Sequence, residues 1–195
     1  MTYQIDQSGK IEDTAKNTIL AYSNSTQKSV LISKKTKRQL QEAFRLCGYS
    51  KLFIYYIFAI GIYYLLKDFT TQQSITIDIE YPKKDKIILK VIGKLLNVNN
   101  KPLHQINFSR IGNRPKVHYA AYDVFSGKKK ADYILGFKEI IEAIKKTDGR
   151  LRECFSTLVG VQPRSSKTRI PKKLQIVNPV RKRVNSNGVK KKTNV

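Results

Sequence analysis

The chain is 195 residues long and carries 38 Lys and Arg against 14 Asp and Glu, a formal net charge of +24. Its hydrophobic content of 41 %, with 11 Tyr and 8 Phe, is enough to build a core and excludes a wholly disordered chain. Two cysteines, Cys47 and Cys154, exclude a disulfide framework, and with two histidines, His104 and His118, and no close Cys/His pairs they exclude a zinc finger.

The start of the chain is polar and carries Asp6, so it is not read as a secretory leader. Residues 2–6 alternate, with Tyr3 and Ile5 on one face and Gln4 and Asp6 on the other, which predicts a short strand. Ser8-Gly9 signals a turn. Residues 17–23 and 29–33 are β-rich apolar runs joined at hairpin length, so the first three strands form an antiparallel meander. The period then changes. Residues 34–46 are charged and helical, with Leu40, Phe44 and Cys47 on one stripe and Gly48 as a breaker. Residues 52–66 carry no charge, but a spanning helix needs about 20 apolar residues, so the run is read as a core helix with its tyrosines at the rim. Residues 74–81 (SITIDIEY) alternate throughout and predict a strand with Asp78 and Glu80 on its polar face, ended by Pro82. Residues 84–96 predict a helix, 105–111 a strand, 117–125 a helix after Pro115, and 131–146 an amphipathic helix.

The C-terminus differs from the rest. No acid follows Glu153, whereas residues 162–195 hold eleven Lys and Arg, together with Pro163, Pro171 and Pro179. The expected organisation is a folded domain over 1–161 and a basic, largely disordered tail over 162–195 that binds phosphates without reading sequence. The fold class is α/β: β-β-β-α-β-α-β-α as a mixed sheet with helices on both faces.

A pI near 10.1 points to a polyanion, nucleic acid first and an anionic membrane surface second. The cysteine usage and the missing leader place the chain in a reducing compartment, cytoplasmic or nucleoid/nuclear rather than secreted. Cutting a phosphodiester usually needs Mg²⁺ or Mn²⁺, and two ions about 4 Å apart stabilise both the attacking and the leaving oxygen. Such ions want converging carboxylates. Acids are few, so their positions are informative: Asp6 ends the first strand, and Asp78 and Glu80 sit two apart on the fourth. If those strands are neighbours, the three share a patch, and Asp123 or His118 would complete it. Acids alternating with Ile are equally the pattern of a half-solvated strand.

An Asp on strand one, a hairpin, a long helix, an acid on strand four, then a fifth strand and a helix resembles the ribonuclease H-like superfamily of ribonucleases H, Holliday-junction resolvases and transposases. Type 2 ribonucleases H look nearest. Their Asp-Glu-x-Gly motif is matched by Asp6-Gln7-Ser8-Gly9, their Ser-Lys-Lys stretch by Ser33-Lys34-Lys35, and their Ala-rich helix by Tyr119-Ala120-Ala121-Tyr122. The motif's Glu is Gln7 here, and no acid lies between Gln105 and Val117, where the family has its last carboxylate. The resemblance implies metal binding by Asp6, Asp78 and Glu80, catalysis by these with Asp123, and a nucleic-acid path along Lys10, Arg110, Arg114, Lys116, Lys128, Lys129 and Lys130. The expected function is a metal-dependent nuclease on RNA–DNA hybrid or branched nucleic acid. The rivals are a non-catalytic nucleic-acid binder and a membrane-associated protein anchored by residues 52–66. Nothing in the sequence sets the oligomeric state.

Overall fold

The structure, a computed structural model, describes residues 2–112 and 115–159. The tail expected over 162–195 and the expected contact residue Arg114 lie outside the described residues.

The polypeptide forms an α/β fold around a mixed six-stranded sheet. The first strand, β1 (Thr2–Ser8), pairs antiparallel with β2 (Thr18–Ser23), and β2 pairs antiparallel with β3 (Gln27–Ile32). On the other side of β1 lie β4 (Ser74–Ile77) and then β5 (Gln105–Phe108), both parallel to it. A two-residue strand, β6 (Tyr133–Ile134), closes the far edge, and the order is β5-β4-β1-β2-β3-β6.

Alternation along the strands separates two faces. Ile5, Leu20, Tyr22, Val30, Ile32, Ile75 and Ile77 point into the main core. That core is covered by α1 (Lys34–Leu46), α2 (Phe53–Leu66), α3 (Asp85–Val98), α5 (Phe137–Thr147) and α6 (Gly149–Val159). Ile19 and Ala21 point the other way and pack under Ala120, Ala121 and Val124 of α4 (Lys116–Phe125). The small alanines let α4 sit close to β2.

Helix α1 starts on Ser33, whose hydroxyl accepts the Thr36 N–H at 3.0 Å. It stops at Gly48, whose φ of +75° allows the Tyr49 N–H to reach back to the Phe44 carbonyl at 2.8 Å. Helix α2 is apolar almost all round and is correspondingly buried. Gly61 lets it lie against Leu20 of the sheet. Its tyrosines find partners at the rim, as Tyr56 does by donating to Asp148 at 3.1 Å. Among the described residues no helix is long and apolar enough to cross a membrane.

Five features depart from the pattern of the sequence. The strand predicted over 74–81 ends at Ile77, although the alternation continues. Beyond it the chain turns: the Glu80 N–H bonds back to the Asp78 carbonyl at 3.0 Å, and Ile79 is exposed. The strand predicted over 105–111 ends likewise at Phe108. The helix predicted over 131–146 is divided. Asp132 accepts from the N–H and hydroxyl of Ser29, both at 2.7 Å, and the Leu135 N–H bonds to Leu31, so this stretch becomes an edge strand. The helix begins only after Gly136. Helix α6, to which the sequence pattern assigns no bounds, buries Leu151 and Phe155 one turn apart. Finally, Cys47 and Cys154 form a disulfide across 107 residues, tying the end of α1 to α6. Two cysteines build no framework, but their pairing removes the support they lent to a reducing compartment.

Candidate metal centre

The parallel register of β1 and β4 places Ile5 opposite Ile77. Both isoleucines enter the main core, so the next residues, Asp6 and Asp78, emerge on the opposite face beside α4. The Asp78 N–H still bonds to the Ile5 carbonyl at 2.9 Å, which keeps the two acids side by side where the ladder ends. The tight turn after Asp78 then swings Glu80 back. One carboxylate oxygen from each of Asp6, Asp78 and Glu80 lies within 4.8 Å of the others. The three acids therefore meet as expected, but Asp78 and Glu80 do so from a loop at the strand's C-terminal end, not from its polar face.

Two of the acids are held by the backbone. Asp6 Oδ1 accepts the Gln7 N–H at 2.7 Å, and Asp78 Oδ1 accepts the Ile111 N–H at 3.0 Å. The other oxygen of Asp6 lies 3.1 Å from His118 Nδ1 on α4. Asp6 is only 8 % exposed, and burial raises its pKa against the pull of the Gln7 and His118 hydrogen bonds. Glu80 is pushed up to about 7, first by burial and then by the charges of Asp6 and Asp78, while Lys10 acts in the opposite direction. Among the described residues nothing donates a hydrogen bond to the Glu80 carboxylate. Three convergent carboxylates, one of them unpartnered, form a hard oxygen donor set of the kind Mg²⁺ or Mn²⁺ takes.

The remaining expected residues are distributed differently. Gln7 faces away from the acids; its amide donates to the Gly9 carbonyl at 3.0 Å and lies 3.4 Å from the Tyr81 hydroxyl. It braces the turn after β1, and Glu80 is the third carboxylate of the cluster. Asp123 sits five residues beyond His118, on another side of α4. It does not join the cluster among the described residues, and its Oδ2 is 3.8 Å from Lys129 Nζ. His118 does reach the site, with its ring stacked on Tyr122 at 6.2 Å.

Of the basic residues, Lys10 lies close enough to act on Glu80, and exposed Arg110 precedes the Ile111 N–H that holds Asp78. Lys116 opens α4 and lines a small polar pocket with Gln4, Ser23 and Asn24, where the Ser23 hydroxyl and the Asn24 amide nitrogen have no partner among the described residues. Lys128, Lys129 and Lys130 are exposed past the end of α4, and Lys128 Nζ stands 6.0 Å from the centre of the Tyr122 ring.

Two residues that support the site are not singled out by the sequence pattern. Lys37 is fully buried, and its ammonium donates to the carbonyls of Lys10 and Asp13, both at 2.7 Å, and to the Thr18 hydroxyl at 2.8 Å. It pins the β1–β2 loop that carries Lys10. Lys37 falls on the Leu40–Phe44–Cys47 stripe, and a lysine on an apolar stripe is the signal that marks it. Tyr81 ties three segments together: its hydroxyl donates to Glu12 at 3.0 Å and lies 3.4 Å from the Ile11 N–H.

Comparison of the chain with protein-family models, with curated proteins and with solved structures gives no match.

Proposed function

We propose that the protein is a metal-dependent nuclease with a ribonuclease H-like arrangement, hydrolysing phosphodiester bonds in RNA–DNA hybrid or branched nucleic acid. The observation that carries this reading is the meeting of Asp6, Asp78 and Glu80 within 4.8 Å in a chain of net charge +24. Three like charges held together are costly without a cation, and a metal ion is one that this donor set suits. The sheet supports the same reading. An antiparallel meander is followed by two strands added parallel on the other side of β1, and the acids stand at the ends of the adjacent β1 and β4.

Asp6, Asp78 and Glu80 would hold Mg²⁺ or Mn²⁺. Such an ion supplies Lewis acidity for a water and charge neutralisation at the scissile phosphate. The protein's own groups divide the remaining work. The Gln7 and Ile111 N–H groups fix one oxygen each of Asp6 and Asp78. His118 Nδ1 lies 3.1 Å from Oδ2 of Asp6, which orients the imidazole at the edge of the site. Lys10 and Arg110 draw the phosphate backbone toward the acids. A nuclease of this kind belongs with its substrate, in the cytoplasm or the nucleoid or nucleus.

A non-catalytic nucleic-acid binder is the second reading, favoured by Gln7 and by the lack of a fourth carboxylate among the described residues. Asp6→Asn and Asp78→Asn separate the two. Loss of metal-dependent cutting with binding retained supports the nuclease, and a wild-type protein that binds without cutting supports the binder.

A further inference from the structure

We infer that a lysine-lined groove between the start of α2 and the β4–α3 turn is a binding site for the sugar-phosphate backbone of a nucleic-acid strand entering or leaving the carboxylate cluster. The groove, of about 580 Å³, is lined by Lys51, Tyr55, Lys83, Lys84 and Lys86 with Leu52, Ile54 and Ile87, and no acid lines it among the described residues. All four lysines are exposed, and none is ion-paired among the described residues. Elsewhere Lys16, Lys28, Lys67, Lys129 and Lys145 stand beside carboxylates, whereas these four converge on one groove without a counter-ion.

The lysines are not simply scattered. Lys83 has a φ of +65°, a left-handed conformation that a lysine rarely adopts, at the turn that carries the cluster into α3. Lys84 Nζ stands 5.3 Å from the centre of the Tyr55 ring. A tyrosine face among four cations matches a strand that offers both phosphates and bases, since aromatic rings stack on bases irrespective of sequence.

The groove is linked to the acid cluster through Tyr81. The Tyr55 ring meets the Tyr81 ring edge-on at 5.9 Å, and Tyr81 follows Glu80 in the chain. A strand seated in the groove is thereby led to the end of the sheet where Asp6, Asp78 and Glu80 meet. This direction rests on the nuclease reading; binding in the groove does not.

The test compares full-length wild type with a variant carrying Lys51→Gln, Lys83→Asn, Lys84→Gln and Lys86→Gln, asparagine being the residue other than glycine that best tolerates the left-handed turn. A fluorescent 20-nucleotide single strand is titrated in EDTA over a range of salt. The slope of log affinity against log salt should fall by about 3 in magnitude, at roughly 0.7 for each single-strand phosphate that the variant no longer neutralises. Circular dichroism shows that the variant is folded. In parallel, amine acetylation read by mass spectrometry should show Lys51, Lys83, Lys84 and Lys86 protected by the oligonucleotide in wild type. An unchanged slope with equal acetylation in both states overturns the proposal. So does protection by phosphatidylserine vesicles but not by the oligonucleotide. Because metal is chelated throughout, this test reads binding alone; a protein that protects these lysines here yet never cuts when Mg²⁺ or Mn²⁺ is supplied in a separate assay would overturn the nuclease and leave the groove standing.

Discussion

Replacing Glu80 by glutamine should make the metal-free protein more stable. In the native structure the Glu80 carboxyl is half-buried and faces Asp6 and Asp78, which raises its pKa from the ordinary 4.5 to about 7. A raised carboxyl pKa means that the folded state resists ionisation. The penalty is absent below about pH 4.5, grows as pH rises, and is complete once pH exceeds about 7. The full shift corresponds to about 3 kcal/mol, and screening by the water that reaches the site reduces this to about 1–2 kcal/mol. Glutamine has nearly the same shape and carries no charge. In urea unfolding with EDTA, Glu80→Gln should therefore exceed wild type in stability at pH 8, and the difference should vanish by pH 4.5. Added Mn²⁺ should reverse the order at pH 8, because wild type gains a ligand set that the variant has lost. A Glu80→Gln protein that is less stable than wild type at pH 8 in EDTA would refute the reasoning, since the ionised carboxylate would then be making favourable contacts in the folded state.

Further outcomes follow from other parts of the molecule. Lys37→Met should cost about 3 kcal/mol in urea unfolding, because three buried acceptors lose their donor together. Burial lowers the Lys37 pKa to about 8 from 10.5, so the unfolded chain binds the extra proton between these values. Wild-type stability should accordingly rise from pH 8 toward pH 10, and that rise should be missing in Lys37→Met. Opening the Cys47–Cys154 bond, with reductant or as Cys47→Ser, should lower stability by about 2–4 kcal/mol, as expected for a long closed loop; an unchanged melting temperature would mean that α6 needs no tether. Gly61→Ala should destabilise the protein by about 1–3 kcal/mol, since the added methyl would overlap Leu20; a neutral result would show that α2 can move off the sheet.

Single residues show how far the fold is legible in the sequence. Strand β1 is legible because Tyr3, Ile5 and Asp6 alternate and Ser8-Gly9 closes the strand, and helix α1 because its stripe and its Ser33 cap agree. The two acids at 78 and 80 are legible as a pair, but not as a turn. Alternation is a local signal, whereas β4 stops because Asp78 spends its carboxylate on the Ile111 N–H and its carbonyl on Glu80. That competition depends on a segment more than thirty residues away. Residues 131–146 read as one helix for the same reason. What divides them is Asp132 capturing Ser29 on a strand a hundred residues earlier, with Tyr133 stacked on Tyr64 at 5.3 Å. Lys37 is hidden by the habit of reading lysine as surface. The disulfide is hidden because two cysteines 107 residues apart give no sign that α1 and α6 meet. Of the site, Asp6, Asp78 and Glu80 stand out by their scarcity, and Tyr81 does not, since its role is set by three partners that only the fold assembles.

The most direct test of the central claim is cleavage of a labelled RNA–DNA hybrid and a labelled four-way junction with Mg²⁺ or Mn²⁺, wild type beside Asp78→Asn. The account predicts metal-dependent cutting of one of these substrates by wild type, abolished by EDTA and lost in Asp78→Asn while salt-sensitive binding persists. Binding of both substrates by both proteins with no cutting by either would contradict it, and Asp6, Asp78 and Glu80 would then be the solvated end of a sheet.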